Sequence, residues 1–209
     1  MKLTLHTFLT VDGVMQAPGG ADEDTTGGFA YGGWLVPFAD QDMGTIVNGW
    51  FEKADAILLG RSTYEAMFPY WSQVTDKDNI AGVKLNAQPK YVVSSTLRDP
   101  QWHNTTVVSG DVVEEVTKLK SRPGGELQIH GSWALAQSVH RAGLIDVYRL
   151  LVFPVAVGRG KRLFTDDAPV TGFRLTGSAT TSTGAVYSAL TPAAFEVGTA
   201  EVAGGKEVV

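Results

Sequence analysis

The chain contains no cysteine among its 209 residues. That single absence excludes disulfides, a thiolate nucleophile and thiolate zinc sites. Histidine is scarce as well. His6, His103, His130 and His140 fall in no HxH or HxxxH spacing, so no metal centre is predicted. No run approaches the roughly 20 apolar residues that a membrane-spanning helix needs. The opening MKLTLHTFLTVDG alternates as a strand does and lacks the apolar core of a secretory leader. Positive charge is in the minority: 17 Lys and Arg stand against 22 Asp and Glu, a formal net charge of −5. The nearest approach to a basic run, Lys118, Lys120 and Arg122, reads as the solvated face of a helix. These absences together predict a soluble, cytoplasmic protein that binds neither nucleic acid nor membrane.

Apolar residues are abundant, at 44% against 19% charged, enough for a sizeable core. The length suits one domain, placed at 1–197, with 198–209 as a flexible tail. Residues 3–11 read as a strand by alternation and end at Asp12 and Gly13. Residues 16–33 hold Gly19, Gly20, Gly27, Gly28, Gly32 and Gly33 around an acidic cluster at 22–24. A loop this long inside a domain is usually functional or disordered. A helix is predicted over 38–53, a buried strand over 54–59, and a helix from Ser62, where Ser62 and Glu65 have capping-box spacing. Strands follow at 90–94 and 105–108, then a helix capped by Asp111 with Glu114 three residues on. A strand at 126–130, a helix from 133, a long strand at 146–157 and two antiparallel strands at 173–180 and 184–190 complete the reading. Strand–helix alternation with a strand-rich end predicts an α/β fold: a mostly parallel central sheet, helices on both faces and an antiparallel C-terminal edge.

Two places repeat one device. In ILLGRSTYE (57–65) and QIHGSWAL (128–135) a buried strand ends in Gly plus a small polar residue and opens directly into a helix. The first N–H groups of such a helix lack internal partners, and the helix dipole is positive there, so a phosphate fits. Ligands of open α/β sheets collect at the carboxyl ends of the strands, and two such turns on one edge point to a dinucleotide. Either turn alone is more often an ordinary helix start. No GxGxxG follows the first strand, and Gly158 to Arg162 is no P-loop, because Val155 and Arg162 stand where glycine and Ser/Thr are required.

Asp12 with Gly13, LLGRSTYE, VVSS, HGSWAL and LIDVYRLLVFPVAVGRGKRLF, in that order, resemble the dihydrofolate reductase-like superfamily. The likeness extends to the reductase domain of the bifunctional riboflavin-biosynthesis deaminase-reductase and covers roughly residues 2–190. It implies a dihydrofolate reductase-like fold and NADPH as cofactor. The cofactor phosphates would lie on Gly60, Arg61, Ser62 and Thr63, the adenosine ribose and its 2′-phosphate by Ser94 and Ser95, and the pyrophosphate at Gly131 and Ser132. Ser132 departs from the family's double glycine but can still cap the helix. The implied activity is reduction of a small heterocycle, pterin- or aminopyrimidine-like. The HxE…PCxxC deaminase signature is absent from these residues, so at most the reductase step is supplied. Asp40 and Asp42 are the carboxylates placed as in folate-reducing relatives. Asp12 serves either a ligand or its own turn, and Gln16 follows it in the loop. Trp34, Tyr64, Trp71 and Trp133 are stacking candidates, of which one or two would face substrate. Lys161 and Arg162 read as a solvated turn, and His130 as a satisfied strand-end residue. The resemblance also implies a homodimer paired through a sheet edge, with strand 146–157 as the candidate because Pro154 suits an edge. A non-catalytic nucleotide-binding module and a broad-range stress-linked reductase are the alternatives.

Overall fold

In the computed structural model of the chain, residues 1–199, 201–203 and 206–208 are described. β1 (Lys2–Thr10), β2 (Ala54–Gly60), β3 (Lys90–Val93), β4 (Thr105–Val108), β5 (Glu126–His130), β6 (Val147–Phe153), β7 (Gly172–Thr180) and β8 (Val186–Ala193) form one sheet. Their order is β4-β3-β2-β5-β1-β6-β8-β7. The first six are mutually parallel, and β8 and β7 add antiparallel, as the alternation along the chain predicts.

Period-two patterning decides which face each strand residue covers. Leu3, Leu5, Ala56, Leu58, Leu127 and Ile129 pack against α4 (Val112–Lys120) and α5 (Trp133–Arg141). Ile57, Leu59 and Val92 pack on the other face with Phe51 of α1 (Gln41–Phe51), Tyr64 of α2 (Arg61–Trp71), and Ala81 and Leu85 of α3 (Ile80–Ala87). Helix α3 has no counterpart in the sequence reading. It is short, carries Gly82 in its first turn, and its apolar residues make no regular stripe; Asn79 starts it by accepting from Gly82 N–H.

Two expectations change. Strand 146–157 is shorter, and β6 lies between β1 and β8, so it offers no edge for pairing; the free edges among the described residues belong to β4 and β7. Pro154 falls just past the end of β6, where its missing N–H interrupts no rung. The stretch read as a tail contains β9 (Glu201–Ala203) and β10 (Lys206–Val208), an antiparallel pair separate from the main sheet. Residues 200, 204, 205 and 209 of that stretch lie outside the described residues. No helix among the described residues is long and apolar enough to cross a membrane.

Lys90 opens β3 with its side chain fully buried. The ammonium donates to the carbonyls of Leu85 (2.7 Å) and Gln88 (3.1 Å) at the end of α3, and lies 5.1 Å from the Trp102 ring centre. Carbonyls at a helix C-terminus and an aromatic face both favour a cation. Burial nonetheless lowers its pKa to about 8. Between pH 8 and about 10.5 the unfolded chain therefore binds more protons than the folded one, and stability rises with pH. Relative to Lys90→Met, wild-type protein should gain up to about 3 kcal/mol over that window. Urea denaturation of both proteins at pH 8, 9 and 10 measures the gain; parallel curves would count against it.

Candidate active site

β2 and β5 are neighbours in the sheet, and each runs straight into a helix, so α2 and α5 begin side by side. A cleft of about 280 Å³ lies between the two openings. Gly60, Arg61, Ser62 and Thr63 line one wall and Ser132, Trp133, Ala134 and Leu135 the other, with Asp24 and Lys161 over them.

The helices differ in how they start. Asp40, Asn79 and Asp111 cap α1, α3 and α4 through their side chains, accepting from Met43, Gly82 and Glu114 N–H. Neither α2 nor α5 has a side-chain cap. The expected capping box at Ser62 is therefore corrected: Gly60 is the N-cap, Ser62 lies inside the first turn, and Glu65 pairs with Arg61 at 2.7 Å. With no hydroxyl or carboxylate folded over them, the first N–H groups of both helices remain available to a ligand in the cleft.

Ser132 is corrected too. It takes a left-handed conformation (φ 56°, ψ 59°), a cost of about 1–2 kcal/mol for a residue with a Cβ. From there its hydroxyl accepts from Gly60 N–H at 3.0 Å rather than capping α5. Gly131 before it also has positive φ (57°), the geometry that favours glycine. Ser94 accepts from Thr96 and Leu97 N–H and so closes its own turn. Ser94 and Ser95 sit outside the cleft lining, but Arg61 reaches their turn through Thr96 Oγ1 at 2.5 Å.

The glycine-rich loop is ordered over this rim. Gln16, almost fully buried, donates to the carbonyls of Asp24 and Thr26, accepts from Lys161 N–H, and its own carbonyl takes the Trp34 indole N–H. Gly32 permits the fold: a Cβ there would lie 2.5 Å from the carbonyl oxygens of Gly20 and Ala21. Lys161, expected in a solvated turn, is half-buried. Its ammonium meets Asp24 Oδ2 at 2.5 Å and lies 5.9 Å from the centre of the Trp133 ring. Arg162 is likewise engaged, through Nε to the Asp12 carbonyl at 2.9 Å.

This arrangement has relatives. The RibD C-terminal domain family matches residues 1–187. The chain belongs to that family. It is 27% identical over 187 residues to the uncharacterised protein YyaP of Bacillus subtilis (strain 168), covering 88% of this chain and 92% of that one. A Shewanella sp. PV-4 protein provisionally named for riboflavin biosynthesis shares the fold with a TM-score of 0.69 at 20% identity, over 93% of this chain and all of that one. Dihydrofolate reductase from Enterococcus faecalis, solved with NADP(H), superposes with a TM-score of 0.59 at 16% identity, over 91% of this chain and 96% of that one. The dihydrofolate reductase-like fold read from the motifs is thus the observed one.

Within this RibD C-terminal domain the three predicted carboxylates do not meet at the cleft. Asp40 caps α1 and also accepts from Ser182 Oγ, Thr183 N–H and Thr183 Oγ1 in the β7–β8 turn. The Met43 N–H above all, with Ser182 and Thr183, holds its carboxyl down at about 2. Asp42 binds Ser182 N–H in the same turn. Asp12 accepts from Thr10 Oγ1 (2.6 Å), Val157 N–H and Gly158 N–H, and so ties the end of β1 to the turn at 157–158. Burial works to raise its carboxyl, but those bonds outweigh it and the net shift is downward. The carboxylate on the cleft wall is Asp24, which the sequence offered only as part of an acidic cluster. Burial works upward on Asp24, and Lys161 and Thr26 reverse it. Of the four aromatic candidates Trp133 lines the cleft; Tyr64 and Trp34 are core, and Trp71 ends α2 beside the same core.

Beneath α1 a polar spine runs between the apolar clusters of Ile57 and Leu59 on one side and Leu151 and Phe153 on the other. Arg149 and Glu126 form a bidentate pair at 2.7 Å. Gln128 donates to Glu126 and to the Trp50 carbonyl, which leaves its Oε1 to accept from His130 Nε2 at 3.1 Å. His130 stacks between Phe51 (4.3 Å) and His6 (4.8 Å). Burial first, then the Arg149 charge, lowers His130 to about 3; burial, then His130 and Arg149, lowers His6 well below its usual value. Both rings are folded in neutral and protonate more readily once unfolded, so stability falls as pH drops below about 6.5. For His130 the loss at pH 5 should be about 2 kcal/mol. Chemical denaturation from pH 7.5 to 5 should show it, with His130→Phe removing about that much; an unchanged slope in that variant would contradict the neutral ring.

Proposed function

We propose that the protein is an NADPH-dependent reductase of a small, flat heterocycle, pterin- or aminopyrimidine-like. The observation that carries this reading is the pair of helices, α2 and α5, that open uncapped onto one cleft while the other three are capped by side chains. A pyrophosphate needs several converging N–H donors and a cation, and the first turns of α2 and α5 with Lys161 meet that need. The main chain at Ser62, Thr63 and Trp133 would hold the phosphates. Arg61, beside the Ser94, Ser95 and Thr96 turn, would take the ribose end with its 2′-phosphate. The cofactor, when bound, supplies a hydride to a C=N or C=O group. The residues of the chain orient the reactants and exclude water. With Asp12, Asp40 and Asp42 committed to the fold, the proton that completes reduction is left to water. Membership of the RibD C-terminal domain family supports a ribosylaminouracil phosphate among the first substrates to try.

The same commitment of carboxylates favours one rival, a nucleotide-binding module without turnover. Titration with NADPH, followed by incubation with pterins and aminouracil ribosides, separates the two. A fall in absorbance at the nicotinamide band is expected, whereas binding with no such fall would establish the module. No change in fluorescence or melting point with NADPH would defeat both.

Asp24 supplies a further handle. Its pair with Lys161 neutralises the one ammonium that lines the cleft, so an incoming phosphate must compete with a built-in carboxylate. Asp24→Asn should tighten NADPH binding by roughly three- to tenfold and Lys161→Met weaken it by about tenfold, magnitudes expected of a charge-assisted bond. Isothermal titration reads both, and weaker binding by Asp24→Asn would show that this carboxylate serves the ligand instead.

A further inference from the structure

Ser132 stands where a glycine would be conformationally free, and its hydroxyl is not used as a helix cap. It is used across the cleft floor. Ser132 Oγ accepts from Gly60 N–H at 3.0 Å and donates to the His130 carbonyl at 3.3 Å. The β2–β5 pairing has its last register pair at Leu58 and Ile129, so this bond adds a tie between the strands two residues beyond the ladder, made by a side chain. The two residues are in ordinary contact: a Cβ on Gly60 would lie 3.7 Å from Ser132 Cβ. The hydroxyl thus joins the N-cap residue of α2 to the N-cap residue of α5.

We propose that Ser132 is a positioning residue, a brace that fixes the separation of the two helix openings so that a bridging pyrophosphate meets both sets of N–H groups at once; the ligand half of this claim rests on reading the cleft as the cofactor site. The physical argument is preorganisation. Two donor sets on separate helices bind one anion well only if their spacing is set beforehand, because spacing that fluctuates must be fixed again at each binding event. The brace also directs Gly60 N–H inward to Ser132, away from the ligand, so the donors that face the cleft begin within the helices themselves. A left-handed serine is the conformational penalty of placing a hydroxyl at that point.

The brace and a purely structural role differ in sign. Ser132→Gly relieves the left-handed backbone and removes the hydroxyl, so its melting temperature should stay level or rise while its Kd for NADPH rises about tenfold. Ser132→Ala, which keeps the strain and loses the bond, should melt lower and bind as weakly. In both variants the Gly60 amide should exchange with solvent at least tenfold faster than in wild-type protein, measured without any ligand. Weaker binding by Ser132→Gly together with an unchanged or higher melting temperature and faster Gly60 exchange supports the brace. An unchanged Kd, a lower melting temperature in Ser132→Gly, or unaltered Gly60 exchange overturns it. If wild-type protein does not bind NADPH, the reductase reading falls separately, and the exchange of Gly60 still decides whether the brace exists.

Discussion

Two parallel strands cannot lie side by side and each run directly into a helix without setting two helix N-termini side by side as well. That constraint organises this molecule. β2 and β5 are hydrogen-bonded neighbours although 65 residues separate the end of one from the start of the other. Their continuations α2 and α5 therefore begin on one rim, each with a partial positive charge and unclaimed N–H donors. Loop, ammonium and aromatic ring are arranged around that rim. The Asp24–Lys161 pair and the Trp133 ring line the cleft, and the Gln16 hub holds the main chain of Asp24 and Lys161 in place.

The six parallel strands and the antiparallel end were legible because alternation and apolar runs are local signals, and both survive packing. So were the two helix openings, because Gly followed by Ser or Arg after a buried strand constrains the backbone directly. Helix α3 was not legible. Its start depends on Asn79 meeting Gly82 and its end on Lys90 reaching back from the next strand, and neither contact leaves a periodic trace. Capping residues misled in two directions. Ser62 and Glu65 have the spacing of a box yet both lie inside the helix, because it starts at Arg61. Asp40, offered as a catalytic acid, caps α1 through Met43 N–H, and its other oxygen is held by a turn 142 residues away. Long-range partners of that kind cannot be read from spacing. The position of β6 fails for the same reason: an interior strand and an edge strand differ in what lies beside them.

The cleft side of the sheet and the α1 side contrast in their chemistry. Toward α4 and α5 the strands present leucine and isoleucine. Toward α1 they add to their apolar residues threonine, histidine, glutamine and a buried arginine–glutamate pair. A buried ion pair of this type gives little net stability over an apolar substitute, since desolvation cancels most of the attraction. What it does here is orient: Glu126 holds both Arg149 and Gln128, Gln128 selects the protonated nitrogen of His130, and His130 ends directly at Gly131. The polar spine therefore fixes the strand end from which the second helix opening departs.

The double use of Asp40 bears on the order in which the chain can assemble. Asp40 Oδ1 caps a helix near the start of the chain locally, but its Oδ2 finds its partners only when the hairpin turn at 182–183 is present. Contacts of such sequence separation are made late, because loop closure precedes any gain from them. On a ribosome, the first quarter of this protein would leave the exit tunnel well before its anchor is translated. The glycine-rich segment ahead of that helix waits for a different partner, the stretch 159–161 that holds Gly28, Gln16 and Asp24.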